Sequence, residues 1–147
     1  MISPLKKGNI LRERYTIRRV IGQGGMGCIY LADDLRLEGR QCAVKEVEHD
    51  RTLPKNLLKE ARDQFQREAT VLARLDHPNL PKVSDYFSIE NSDYLVMDFV
   101  PGEDLRTLML KQREKNQFIP EKDVLNWAFQ LADALIHAQS KPANSAP

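Results

Sequence analysis

The 147 residues contain two cysteines, three histidines and one tryptophan, so side chains that carry thiol or metal chemistry are scarce. Cys28 and Cys42 have no metal-ligand spacing and no partner histidines, which argues for reduced thiols packed as small apolar groups. A disulfide framework is excluded on the same count. No apolar run approaches the roughly 20 residues needed to cross a bilayer. The first residues, M-I-S-P-L-K-K-G-N-I, include lysines but no apolar core of a secretory signal. A cytoplasmic location and no membrane segment in this chain are therefore expected. An excess of charge of one sign is also missing, with 22 Lys+Arg against 21 Asp+Glu. Bulk electrostatics thus gives no reason to expect nucleic acid or an anionic membrane as a partner. There is no internal repeat. What remains is an ordinary soluble-domain composition, 41% hydrophobic and 29% charged, and enough length for one domain with a real core.

Tyr15 to Ile21 and Cys28 to Ala32 read as strands flanking a glycine-rich turn, and Gln41 to Val47 as a third after the turn at Leu37 to Arg40. A helix is expected through roughly Leu57 to Leu75, with Ala61, Phe65, Leu72 and Leu75 as its apolar stripe. His77-Pro78-Asn79 ends it, because proline disfavours helix in the residue before it. Val83 to Ile89 and Tyr94 to Val100 read as two more strands joined by the polar turn Glu90 to Asp93. A short helix is expected from about Glu103 to Lys111. A longer one runs from about Pro120 to Gln139, with Val124, Ala128, Leu131 and Leu135 as its stripe. Pro120 suits a first helical position, and Glu121 and Asp123 suit the positive end of the helix dipole. The expected fold class is α+β: a five-stranded antiparallel sheet with one helix inserted after its third strand, followed by two helices.

The chemical signal lies in I-G-Q-G-G-M-G-C-I, residues 21 to 29, and in Lys45 on the third strand. Glycines let backbone N–H groups approach phosphates without a Cβ in the way, and a lysine adds a point charge suited to phosphate oxygens. Ala43, Lys45 and Val47 share one strand face, so Lys45 reads as a buried cation in need of a partner. Glu68, three residues after Phe65 and four before Leu72, falls on the helix stripe and is the expected partner in a buried ion pair. A dinucleotide-binding domain would need a helix after the glycines and a ribose-binding acid about 20 residues on. Here a strand follows instead, and Asp33 and Asp34 come too soon. A Walker A loop would need Gly-Lys-Ser/Thr within the loop, which is absent.

These residues resemble the N-terminal part of a protein kinase, most of all the bacterial serine/threonine kinases of the eukaryotic type. Gly22-x-Gly24-x-x-Gly27-x-Ile29 resembles the glycine-rich loop, with isoleucine where valine is usual, and Cys42-Ala43-Val44-Lys45 resembles the V-A-I-K strand. Gln66 to Leu80 resembles the helix that carries the paired glutamate and the H-P-N turn after it. Tyr94 to Leu105 resembles the strand and hinge that join the two lobes. The resemblance runs from about Arg14 to Gln139. It implies ATP as ligand, with Gly22, Gln23, Gly24, Gly25, Met26, Gly27 and Cys28 covering the phosphates. It places Ile21, Ile29 and Ala43 over the adenine. Lys45 would hold the α- and β-phosphates, fixed by Glu68. Met97 would be the gatekeeper, the backbones of Asp98 and Val100 would meet the adenine edge, and Asp104 would reach the ribose. Mg2+ is the implied metal, with no protein ligand for it within this chain, and protein substrates are the implied partners.

No H-R-D and no D-F-G occurs in the sequence, so the chain is expected to bind nucleotide without turning it over. H-A-Q-S-K-P-A-N, from His137 to Asn144, superimposes on H-R-D-x-K-P-x-N, a pattern that would describe a pseudokinase. The helical stripe through Leu135 favours helix at His137, and with it a chance similarity. The expected organisation is an N-terminal extension at 1–13, the ATP-binding lobe at 14–100, the start of a helical lobe at 101–139 and a linker-like end at 140–147.

Overall fold

The computed structural model describes residues 4–24, 27–50 and 52–140. In chain order the elements are β1 (Ile10–Leu11), β2 (Tyr15–Gly24), β3 (Gly27–Asp34), β4 (Gln41–Glu48), α1 (Lys55–Ala73), β5 (Val83–Ile89), β6 (Ser92–Asp98), α2 (Leu105–Glu114) and α3 (Glu121–Ser140). The strands form one sheet in the order β1-β2-β3-β4-β6-β5, antiparallel throughout. The chain divides into two compact units, one of residues 1–76 and 81–99, the other of 77–80 and 100–147.

The sheet has six strands where five were expected. The extra strand, β1, pairs Ile10 with Thr16 and Leu11 with Tyr15. Arg12, Glu13 and Arg14 make the turn, the first two with positive φ (48° and 54°), and the Arg14 N–H donates to the Leu11 carbonyl across it at 3.0 Å. Two residues are too few to show alternation, and the turn has neither Gly nor Asn to announce it. Leu11 is nevertheless buried in the core.

One face of the sheet carries that core. Tyr15 and Ile17 from β2, Cys28, Tyr30 and Ala32 from β3, Cys42 and Val44 from β4, and Phe87, Tyr94 and Val96 from the β5–β6 hairpin pack together, with Leu5 against them. Alternation along each strand delivers these residues to one side. The aromatic rings stack in a row, Tyr15 on Phe87 at 5.9 Å and Phe87 on Tyr94 at 5.2 Å. At the edge of this core Asp34, with no side-chain surface exposed, receives two hydrogen bonds of 2.8 Å from the Arg14 guanidinium. The Arg36 N–H adds one of 3.1 Å and Arg40 another of 3.3 Å. These donors hold the Asp34 carboxyl below the usual carboxylate range, the Arg14 bond being the largest cause.

Helix α1 packs on β5 and β6, with Phe65 against Tyr86 at 5.7 Å between ring centres. Its only buried residue is Ala69. The packed side turns toward Gln66, Ala69 and Ala73, which line a cavity with β5. The expected stripe through Leu72 was therefore misplaced, and Leu72 is exposed.

In the second unit, His77 Nε2 bonds Asp133 at 3.0 Å and Asn79 Nδ2 donates to the Gln130 carbonyl, so residues 77–80 lie along α3. Asp104 caps α2, its carboxyl accepting from the Thr107 N–H at 2.6 Å. Helix α3 buries only Ala134, and Leu131 and Leu135 are 58% and 62% exposed. His137 to Ser140 form its last turn, as the helical stripe predicts, while residues 141–147 lie outside the described residues.

Candidate functional site

β2 and β3 form a hairpin whose arms pair Gly22 with Ile29, Gln23 with Cys28 and Gly24 with Gly27. The register slips between Val20 and Gly22, and a bulge of this kind bends a strand and tightens its twist. Gly25 and Met26 lie outside the described residues. The three described loop glycines differ in what they require. A Cβ on Gly24 would meet nothing within 4 Å, and one on Gly22 would make only an ordinary contact with Ile29. A Cβ on Gly27 would stand 1.8 Å from the Glu46 carbonyl oxygen. The third glycine is thus demanded by packing against β4. The first two would tolerate a Cβ, so packing among the described residues does not account for them.

β4 crosses directly beneath the hairpin, pairing Ile29 with Lys45 on one side and Lys45 with Leu95 on the other. Gly22, Gln23, Gly24, Gly27, Cys28, Ile29, Lys45 and Glu46 line one cavity of about 410 Å³. Ala43, two residues from Lys45 and so on the same strand face, is buried and sits beside Met97 in the ladder. Ile21 and Ile29 are half-buried. The sequence-predicted loop, strand lysine, Ala43 and Met97 therefore meet in one unit.

The buried Lys45–Glu68 pair is not formed. Lys45 is exposed, and no ion pair joins it to another described residue. Glu68 is also exposed and accepts instead from Gln64 Nε2 at 2.8 Å. Two physical reasons account for this. Helix α1 rests on β5 and β6 and not on β4, and Glu68 stands one residue, about 100° of helical rotation, from the packed Ala69. The face shared by Ala43, Lys45 and Val47 was read correctly, but the burial of Lys45 on it was not. Cys42, Val44 and Glu46 point into the core, and it is Lys45 that faces open space.

The remaining predicted residues are placed as follows. Asp98 ends β6, and its N–H donates to the Lys82 carbonyl at 3.0 Å, so that donor is committed. The Asp98 carboxyl accepts from the Lys82 N–H and from Arg40. Val100 and Asp104 belong to the second unit, where Val100 is exposed and the Asp104 carboxyl is engaged as the α2 cap.

Sequence reasoning missed Glu46. It is 6% exposed, and its carboxyl oxygens accept from Tyr30 Oη at 2.6 Å and Tyr94 Oη at 2.8 Å. The signal was available: Glu46 shares the parity of Cys42 and Val44, the more apolar face of the strand.

Comparison with known proteins agrees with this architecture. Residues 15–142 match the protein kinase domain, and the chain belongs to that family. It is 33% identical over 93% of its length to serine/threonine-protein kinase B of Synechocystis sp., covering 25% of that protein. It is 34% identical over 89% of its length to serine/threonine-protein kinase PrkC of Bacillus subtilis, covering 19%. Among solved structures, the PknI kinase domain of Mycobacterium tuberculosis superimposes with a TM-score of 0.72 at 29% identity over 92% of this chain. The fold is therefore protein-kinase-like, of the bacterial serine/threonine type. The chain spans about half of that solved kinase domain and about a quarter or less of the curated relatives.

Proposed function

We propose that this chain is the ATP-binding part of a serine/threonine protein kinase whose complete form transfers the γ-phosphate of Mg-ATP to protein hydroxyls. One observation carries the reading: a glycine hairpin with open space at Gly24 shares a cavity with Lys45, which is exposed and joined by no ion pair to another described residue. An ammonium lining the same cavity as a glycine-rich hairpin suits a polyphosphate. The backbones of residues 22–28 would lie along the phosphates, and Lys45 would bind the α- and β-phosphates. Ile21, Ile29 and Ala43 offer the apolar surface for an adenine, with Met97 behind it and the Asp98 backbone at its edge. In the complete kinase Glu68 would turn to Lys45 once nucleotide is bound. Mg2+ would supply charge neutralisation between the phosphates, and protein ligands for it would come from outside these 147 residues. The sequence holds neither H-R-D nor D-F-G, so the chain by itself binds nucleotide without transferring phosphate.

Titration of the chain with Mg-ATP tests this. Micromolar to millimolar binding that Lys45→Met abolishes is expected, and equal binding by that variant sinks the assignment. The same absence of H-R-D and D-F-G favours a second reading, a regulatory module or pseudokinase that acts through a protein partner. Phosphotransfer by the complete protein, lost on Lys45→Met, separates the two.

A further inference from the structure

Glu46 joins features on both faces of the sheet. On the cavity side its carbonyl is the atom that Gly27 must accommodate, and it directly follows Lys45. On the core side its side chain is held by two tyrosines from the strands flanking β4, Tyr30 on β3 and Tyr94 on β6. Tyr94 is also its direct cross-strand partner. The Leu5 N–H donates to Tyr30 Oη at 3.1 Å, so the chain before β1 closes the series. Among the described residues no cation pairs with Glu46. An apolar residue would fill this core position with no need for partners, and a buried carboxyl is costly unless its oxygens are satisfied. Both are satisfied, by donors that stay protonated. Burial first, and the bond to Glu46 second, push each phenol upward from its ordinary range.

We infer that Glu46 is a positioning residue for nucleotide binding: clamped between Tyr30 and Tyr94, it fixes the height and register of β4 so that Lys45 and the Gly27 turn face one another. Hydrogen bonds specify direction where apolar packing alone does not. A strand free to shift by a fraction of an ångström would move the ammonium from its phosphate, and short misplacements of this kind weaken charge-assisted contacts strongly. The inference rests on the ATP reading above and extends it to a residue on the opposite face of the sheet.

Three variants test it. Glu46→Leu leaves two buried hydroxyls unpaired. Tyr30→Phe/Glu46→Leu/Tyr94→Phe removes the three polar side-chain groups together and leaves only the half-buried Leu5 N–H without its acceptor, so it keeps an apolar core that folds. Glu46→Gln keeps an acceptor for one tyrosine and is the conservative rescue. Mg-ATP affinity is measured by calorimetry well below each variant's melting temperature, with amide hydrogen exchange at β4 recorded without nucleotide. Glu46→Leu and the triple variant are expected to bind ATP about tenfold more weakly, the scale of one lost charge-assisted bond. Faster exchange at Lys45 should accompany the loss, and Glu46→Gln should stay within about threefold of wild type. A folded triple variant with wild-type ATP affinity overturns the positioning role while leaving the ATP reading intact. A wild-type chain that binds no ATP overturns that reading, and this inference with it.

Discussion

The carbonyl oxygen of Glu46 occupies the place of a side chain on residue 27, 1.8 Å from where a Cβ would stand. Gly27→Ala must therefore push β4 away or open the hairpin. Overpacking of this kind costs about 1–3 kcal/mol. Gly24→Ala meets no atom within 4 Å and should change stability by less than about 0.5 kcal/mol, yet weaken ATP binding by placing a methyl where the proposed site would hold phosphate. Thermal unfolding and ATP titration of both variants check the contrast. Equal stability losses would show that the two glycines are not distinguished by packing.

Asp34 is the second anchor that a single substitution can test. With its carboxyl fully buried and bonded to Arg14 and Arg40, which keep Asp85 and Asp98 as second partners, Asp34→Ala should cost about 1–3 kcal/mol. Its acid dependence follows in sign from linkage. The folded-state pKa lies below the unfolded one, so the stabilisation is complete above the ordinary carboxylate range and is lost as pH falls through the folded value. Urea midpoints of the wild type should drop below about pH 4, and part of that slope should vanish in Asp34→Asn. An identical slope in the two proteins would contradict the assignment.

Both thiols should be silent in the native state. Cys28 and Cys42 are buried, and burial pushes the Cys42 thiol up to about 11, so almost none of it is the reactive thiolate at pH 8. Ellman's reagent should find two thiols in denaturant and react with the native chain at less than about a tenth of that rate. Rapid native reaction would mean that the β3–β4 core opens.

Glu68 separates stability from ligand binding. Exposed and bonded only within its own helix, it should accept Glu68→Ala with a change under about 0.5 kcal/mol in the nucleotide-free chain. If nucleotide draws Glu68 to Lys45, the same variant weakens ATP binding. Unaltered affinity would leave Lys45 acting alone.

The sequence made the hairpin, the inserted helix and the lysine strand legible because their signals are local: glycine clustering, period-2 alternation and proline punctuation. Val83 to Ile89 was read with its observed limits for that reason. The Lys45–Glu68 pair failed because it depends on which sheet strands the helix covers, and a one-residue spacing argument cannot report that. The exposure of Lys45 was misjudged because its neighbours on the same strand face, Ala43 and Val47, are apolar. Both faces of the strand are largely apolar, so alternation could not decide between them. Its parity with Cys42 and Val44 put Glu46 on the core face, but its partners became visible only when Tyr30 and Tyr94 arrived from separate strands.

The similarity to the kinase family starts at residue 15, but the folding unit starts earlier. Residues 4–14 hold the edge strand, the Leu11 side chain in the core, the Leu5 link to Tyr30 and the guanidinium that neutralises Asp34. Trimming the protein to its family boundary would thus remove parts of the sheet's interior. A shortened chain of that kind should misbehave in expression even though every family motif that the chain carries remains intact, so the working limits of this lobe are better set by hydrogen bonds than by homology.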